Sequence, residues 1–234
     1  MHKNLQAVIL AGGKGSRLRS VTKKIPKAMV LINKTPFLEI LINQIKKNGI
    51  KKILILTGYK NNIIKNYINK NKDKNIIIHN SPVKYLTLAR IIRAKSLISD
   101  NFLLMYCDNY LINFKLKKIL KIYKENKSKI VLSVVKKKKN QKGNIKLEGN
   151  KTLYKKKISS DYVEAGYMMI NKSNLLKKKL DIFKKNTDFS KLIDLYSSEG
   201  NLTHLINTKG FLCIENRNLL KETINYFKND GKVN

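Results

Sequence analysis

Directly after the apolar run Leu5–Leu10, the chain reads LAGGKGSRLRSVTKKIPK from Leu10 to Lys27, with Gly12, Gly13 and Gly15 inside four positions. Glycines so spaced let a backbone take φ > 0, come close to a ligand and turn N–H groups inward, which suits a polyphosphate. Arg17 stands two residues after the last of them. Lys27 follows ten residues later, fixed behind Pro26. Two separate cations can therefore reach one phosphate chain. The loop is not a Walker A loop, because no Gly-Lys-Ser/Thr closes it. Nor is it a dinucleotide fingerprint, because Arg17 and Leu18 stand where the third glycine would come. Bare glycines also fit a plain strand-to-helix turn; the two cations favour a ligand. A second candidate is Cys107-Asp108-Asn109, at the end of the apolar run Phe102–Cys107. An Asp leaving a buried strand is placed to hold Mg²⁺, a hard cation that takes carboxylate, water and phosphate oxygens. The same Asp also suits a turn or a helix N-cap.

Other chemistry-bearing residues form no arrangement. His2, His79 and His204 are far apart and have no Ser or Cys partner at a recognisable spacing. Cys107 and Cys213 are too few for a disulfide framework and lack metal-ligand spacing. Fifty Lys and Arg against fifteen Asp and Glu give a formal charge of +35, which on its face suggests nucleic acid or an anionic membrane. Only five of the fifty are Arg, however, and Lys, Asn and Ile are inflated together along the whole chain. Readers of base edges and phosphates lean on the arginine fork, so no specific nucleic-acid partner is expected. The charge can still draw anionic substrates toward a cleft.

Short aliphatic strands alternating with amphipathic helices must position these groups. Phe37–Lys47 carries a helical stripe that stops at Asn48-Gly49, and Ile53–Leu56, Ile76–His79, Phe102–Cys107 and Ile130–Val135 read as strands. Helices are expected around Asn62–Ile68, over Thr87–Leu97 and over Phe114–Glu125. The pattern then changes to a hairpin of Asn144–Leu147 with Thr152–Lys155 and a strand at Tyr162–Ile170. A helix at Phe189–Ser197, a last strand at Phe211–Ile214 and a helix at Leu219–Phe227 complete it. The expected fold is α/β: a Rossmann-like, mostly parallel sheet with helices on both faces and an antiparallel insertion in the second half. One domain over 1–234 is expected, its parts meeting near residue 135. Apolar runs such as Ala7–Ala11 fall far short of the about twenty residues of a membrane span. No secretory leader is read, and a cytoplasmic setting is expected.

The segment LAGGKGSRLRSVTKKIPK resembles the opening of the sugar-1-phosphate nucleotidyltransferase family: a strand, Leu-Ala-Gly-Gly-x-Gly-x-Arg-Leu, then Pro-Lys. The likeness continues through Thr35-Pro36-Phe37-Leu38-Glu39, Ile53–Tyr59 and Phe102–Asp108, so it covers about residues 5–110 well and the remainder more weakly. It implies an NTP and a sugar 1-phosphate as substrates, with an NDP-sugar and pyrophosphate as products. It also implies in-line attack without a covalent enzyme intermediate. Leu10, Ala11, Gly12, Gly13 and Gly15 would line the nucleotide, Arg17 would hold the triphosphate, and Lys27 would bridge the two reacting phosphates. Asp108 would hold Mg²⁺. Gly143, Lys156 and Glu164 match the sugar-binding positions, which makes 1–135 the nucleotide-binding part and 136–234 the sugar-binding part. The segment TPFLEI is nearest to heptose- and mannose-type guanylyltransferases and glucose-type cytidylyltransferases. The first are preferred, with a product used for surface polysaccharide or lipopolysaccharide; a homo-oligomer is compatible.

Three departures stand out. Where the family carries Gly-Thr-Ala/Gly-Gly against the base, this chain reads Leu86-Thr87-Leu88-Ala89 and only Thr87 survives. The acid of a Glu-Lys pair is missing at Lys155-Lys156. In the last strand Cys213 replaces the second metal-binding Asp, and Cys is a poor magnesium ligand. Side chains alternate along a strand, so Glu215 lies on the face of Cys213 and can recover the ligand; a surface Glu before a helix is the other reading. A GT-A-like glycosyltransferase using Asp108-Asn109 and a non-catalytic nucleotide-sugar-binding protein remain as rivals.

Overall fold

The computed structural model describes residues 5–126, 129–139, 141–149, 151–154, 160–176 and 187–229. The order begins with β1 (Gln6–Ala11), α1 (Arg19–Thr22), a small hairpin β2 (Leu31–Ile32) and β3 (Thr35–Pro36), then α2 (Phe37–Lys47), β4 (Lys52–Thr57) and α3 (Asn61–Lys70). It continues through β5 (Ile76–Asn80), α4 (Thr87–Arg93), β6 (Asn101–Tyr106), β7 (Asn109–Leu111), α5 (Leu116–Glu125) and β8 (Ile130–Lys136). The hairpin β9 (Ile145–Glu148) and β10 (Lys151–Tyr154) precedes β11 (Tyr162–Asn171) and α6 (Lys172–Leu176). Last come α7 (Phe189–Ser198), β12 (Leu202–Ile206), β13 (Phe211–Cys213) and α8 (Arg217–Asn229).

Strands β5, β4, β1 and β6 lie side by side and all parallel. Antiparallel β11 joins β6 and pairs with β8 and with the β9–β10 hairpin; β12 runs parallel to β8. The parallel strands are apolar on both sides because both faces are covered, as such sheets require. Ala7, Ile9, Ile53, Ile55, Leu103 and Met105 meet α2, α3 and α5 on one face. Val8, Leu10, Leu54, Leu56 and Leu104, of opposite parity, meet α4 and α7 on the other. The expected α/β sheet with helices on both faces is therefore observed. The expected last strand is not part of this sheet. Phe211–Cys213 pairs with β7 in a separate two-stranded ribbon, and it ends at Cys213 rather than Ile214. Among the described residues, no helix is long and apolar enough to cross a membrane.

Candidate active site

The chain leaves β1, moves outward through β4 and β5, and returns to β6 on the other side of β1. Such a reversal leaves a crevice beyond the carboxyl ends of the two central strands. The glycine loop follows β1 and Asp108 follows β6, so both candidate segments open into that crevice. The amide of Cys107 donates to the Leu10 carbonyl at 3.3 Å, which ties the two strand ends together.

A cleft of about 1300 Å³ opens there, lined among others by Leu10, Gly12, Gly13, Gly15, Arg17, Lys27, Thr87, Asp108, Glu164 and Glu215. Two ion pairs cross it. Lys27 Nζ donates to Asp108 Oδ2 at 2.5 Å, with the side chains only 11% and 27% exposed. Arg17 pairs with Glu215, and these side chains are 72% and 35% exposed. Each cation expected on phosphate thus rests on a carboxylate expected on metal. Local structure explains the proximity. Pro26 leads a single 3₁₀ turn that starts at Lys27. Gly15, at φ +62°, turns the loop back so that a Cβ there would stand 3.2 Å from Lys27 Cβ. On the other side, Cys213 pairs with Asn109, and the Ile214 amide donates to the Asp108 carbonyl at 3.0 Å. Glu215 reaches the cleft beside Cys213, although not by strand alternation: it lies past the strand end, in the bend before α8.

Asp108 and Glu215 offer hard oxygen donors to one cleft, and no group of three or more His, Cys, Asp or Glu among the described residues could form a protein-only metal cage. Mg²⁺ is served by one or two carboxylates completed by water and substrate phosphate, so the donor set fits that ion. Burial, with Asp108 nearby, pushes the Cys107 thiol up to about 12 and the Cys213 thiol up to about 11. Both thiols are therefore held in the neutral form at ordinary pH, which argues against either as a free thiolate nucleophile.

Glu164 enters the cleft from a bulge in β11, where the register with β8 shifts between Glu164 and Met168. Gly166, at φ +83°, makes the bulge possible and donates its amide to the Glu164 carboxylate. Burial raises the Glu164 carboxyl to about 8, with Asp108 adding to the rise. Thr87 also lines the cleft, but its hydroxyl is engaged within the protein. It donates to Asp188 Oδ2 at 2.9 Å and accepts from the Phe189 amide at 2.7 Å, fixing the start of α7. Ala11 is buried at the end of β1 and is not among the lining residues. Gly143 is likewise buried outside the cleft, where a Cβ would meet the Ser160 carbonyl at 2.1 Å. Lys156 lies outside the described residues.

Arg90, Asp188 and Asn144 line the cleft without having been singled out from sequence. Arg90 is 3% exposed, and among the described residues its guanidinium donates to carbonyls: Nη1 to Thr57 at 2.6 Å and Ser81 at 3.0 Å, Nη2 to Pro82 at 3.1 Å and to Gly12 and Val83 at 3.3 Å. The signal was an Arg flanked by buried Leu88, Ala89 and Ile91 in a chain that otherwise uses Lys.

Comparison with known proteins places the chain in a family. The family model for nucleotidyl transferase matches residues 6–209. D-glycero-alpha-D-manno-heptose 1-phosphate guanylyltransferase of Campylobacter jejuni is 49% identical over 63 residues, 27% of this chain and 28% of that enzyme. The match thus spans little more than a quarter of this curated relative. HddC from Yersinia pseudotuberculosis superposes with a TM-score of 0.75 at 25% identity, over 95% of this chain and 99% of that one. Inositol-1-phosphate CTP transferase from T. maritima superposes with a TM-score of 0.80 at 16% identity, over 98% and 99%, a likeness of fold. With the family model covering most of its length, this chain belongs to the nucleotidyl transferase family.

Proposed function

We propose that the protein transfers a nucleoside monophosphate from an NTP to a sugar 1-phosphate, releasing pyrophosphate and yielding an NDP-sugar. The observation that carries this reading is the crosswise pairing of Arg17 with Glu215 and Lys27 with Asp108 across one cleft. Each of these two pairs is internally neutral at rest. An entering triphosphate can take up Arg17 and Lys27 on its oxygens, which frees Asp108 and Glu215 as the carboxylates that would hold a divalent cation.

The glycine loop offers backbone N–H groups to the triphosphate. Arg17, on the exposed pair, moves to the β- and γ-phosphates; Lys27, sheltered at the base of the cleft, stays between the α-phosphate and the incoming sugar phosphate. A sugar phosphate oxygen attacks the α-phosphorus, a new P–O bond forms, and the bond to the bridging α–β oxygen breaks with its electron pair leaving on pyrophosphate. Little covalent work falls to the protein. It positions two polyanions in line and neutralises the charge that gathers on the leaving group. Mg²⁺ held by Asp108 and Glu215 would supply Lewis-acid neutralisation of those phosphate oxygens. Glu164, still carrying its proton near pH 7, presents a donor to sugar hydroxyls.

Residues 1–135 act in this proposal as the nucleotide-binding part and 136–234 as the sugar-binding part of one unit. The preferred substrates are GTP and a heptose 1-phosphate, for surface polysaccharide or lipopolysaccharide. Support comes from the short stretch shared with the Campylobacter guanylyltransferase and from HddC, which has also been solved with GMP-PN. The test is pyrophosphate release with each NTP against a panel of sugar 1-phosphates. Release with one pairing supports the proposal. NTP binding with no release from any pairing supports a non-catalytic nucleotide-sugar binder, the reading that Cys213 at the second metal position favours.

A further inference from the structure

We infer that Arg90 is a positioning residue for the nucleotide: its buried guanidinium clamps the carboxyl ends of β1, β4 and β5 and holds the glycine loop in its binding shape. The inference rests on the proposed nucleotide site. Its carbonyl partners come from three separate segments: Gly12 after β1, Thr57 at the end of β4, and Ser81, Pro82 and Val83 after β5. Among the described residues no carboxylate pairs with Arg90, and its burial depresses its pKa. Burying an unpaired cation is costly, and a fold gains nothing from it unless the fork geometry is used. Here one planar group reaches five carbonyls at the edge of the cleft, of which those of Gly12, Thr57 and Pro82 also accept a backbone amide through their second lone pair.

Two glycines record the clamp. A Cβ at Gly12 would stand 2.4 Å from Arg90 Cζ, and a Cβ at Gly58 would stand 2.4 Å from Arg90 Nη1. Neither has a positive φ, so both are glycine to admit the guanidinium rather than to make a turn. Gly13 differs: nothing stands within 4 Å of its Cβ position, and it borders the open cleft. The Gly12 carbonyl accepts from both Arg90 and the Tyr59 amide, the latter at 3.1 Å. A trans peptide points its C=O and N–H in opposite directions. Fixing the Gly12 carbonyl on Arg90 therefore fixes the Gly13 N–H away from it. Through Pro82 and Val83 the same side chain also sets the segment that carries Val83 to the cleft wall.

Gly58 does not line the cleft, so Gly58→Ala disturbs Arg90 without touching substrate. Arg90→Lys keeps the charge and loses the fork. NTP dissociation constants by calorimetry, melting curves, and KM for each substrate are measured for wild type, both single variants and the double variant. Each single variant is expected to weaken NTP binding about tenfold while KM for the sugar phosphate stays within about twofold. In the Arg90→Lys background, Gly58→Ala is expected to add little, because the group it displaces is gone. Faster amide exchange at residues 12–15 in Gly58→Ala would report the loosened loop even if Arg90→Lys fails to fold. Wild-type NTP affinity and loop exchange in Gly58→Ala overturn the inference, as does an equal rise in both KM values. Failure of the wild type to bind any NTP overturns the nucleotide-site reading instead.

Discussion

The two ion pairs of the cleft share a composition and differ in setting. Lys27–Asp108 sits at the base, its side chains 11% and 27% exposed, between a proline-led turn and a central strand end. Arg17–Glu215 sits at the mouth, 72% and 35% exposed, between a glycine loop and the bend before α8. An exposed pair is worth little to stability and is exchanged readily, whereas removing one partner from a sheltered pair leaves the other charge uncompensated. The inner pair is thus a fixed reference for the reacting phosphorus, and the outer pair is a hand-over point for the arriving triphosphate.

Breaking the inner pair should have the largest effect. Asp108→Asn is expected to lower turnover by about 10³ or more, through the metal and through Lys27. Lys27→Met is expected to lower it by about 10²–10³ and to cost about 1–3 kcal/mol of stability, less than a fully buried pair because Asp108 keeps some solvent. Denaturant melts check the second number. Arg17→Ala is expected to cost about 10² in turnover, yet to leave stability within about 1 kcal/mol. Equal stability losses from Lys27→Met and Arg17→Ala would erase the distinction between base and mouth. Glu215→Gln should raise the Mg²⁺ concentration for half-maximal rate about tenfold; an unchanged metal titration would leave Glu215 as the partner of Arg17 alone.

The smallest effect is one of pH. Folded Glu164 keeps its proton up to about 8, while an unfolded glutamate releases it near 4.5. Between those values the folded state binds more protons, so stability falls as pH rises. The slope is absent below 4.5, where both states are protonated, and above 8, where neither is. Wild type should lose up to about 1.4 kcal/mol per pH unit relative to Glu164→Gln across pH 6–7, an upper bound because the side chain still reaches the cleft. Parallel stability curves for the two proteins would refute a raised carboxyl.

The parallel half was legible because its signals are local. Apolar runs of four to six residues mark β1, β4 and β6, helical stripes between them mark α2 and α3, and the glycine loop lies next to the strand that positions it. The segment from β11 onward was less so. Strand β12 was missed because Leu202–Ile206 is short and interrupted by His204. The β2–β3 hairpin was missed because Asn33 and Lys34, both at positive φ, turn without the usual glycine. Glu215 was singled out by alternation along a strand that ends two residues earlier, and it arrives through the β7–β13 ribbon instead. Arg90 shows what composition conceals. In a chain saturated with lysine, arginine is the informative letter: Arg17 pairs with Glu215, Arg90 holds five carbonyls, Arg93 lies over the Tyr85 ring at 5.0 Å, and Arg217 donates to Ser20 at 3.2 Å.

Pyrophosphate release in single turnover, with GTP, Mg²⁺ and a heptose 1-phosphate, compared between wild type and Asp108→Asn, bears most directly on the partner exchange. The account predicts release that needs both substrates and nearly vanishes in the variant while NTP still binds. Wild-type release from Asp108→Asn, or nucleotide binding without release for every sugar phosphate, would contradict it.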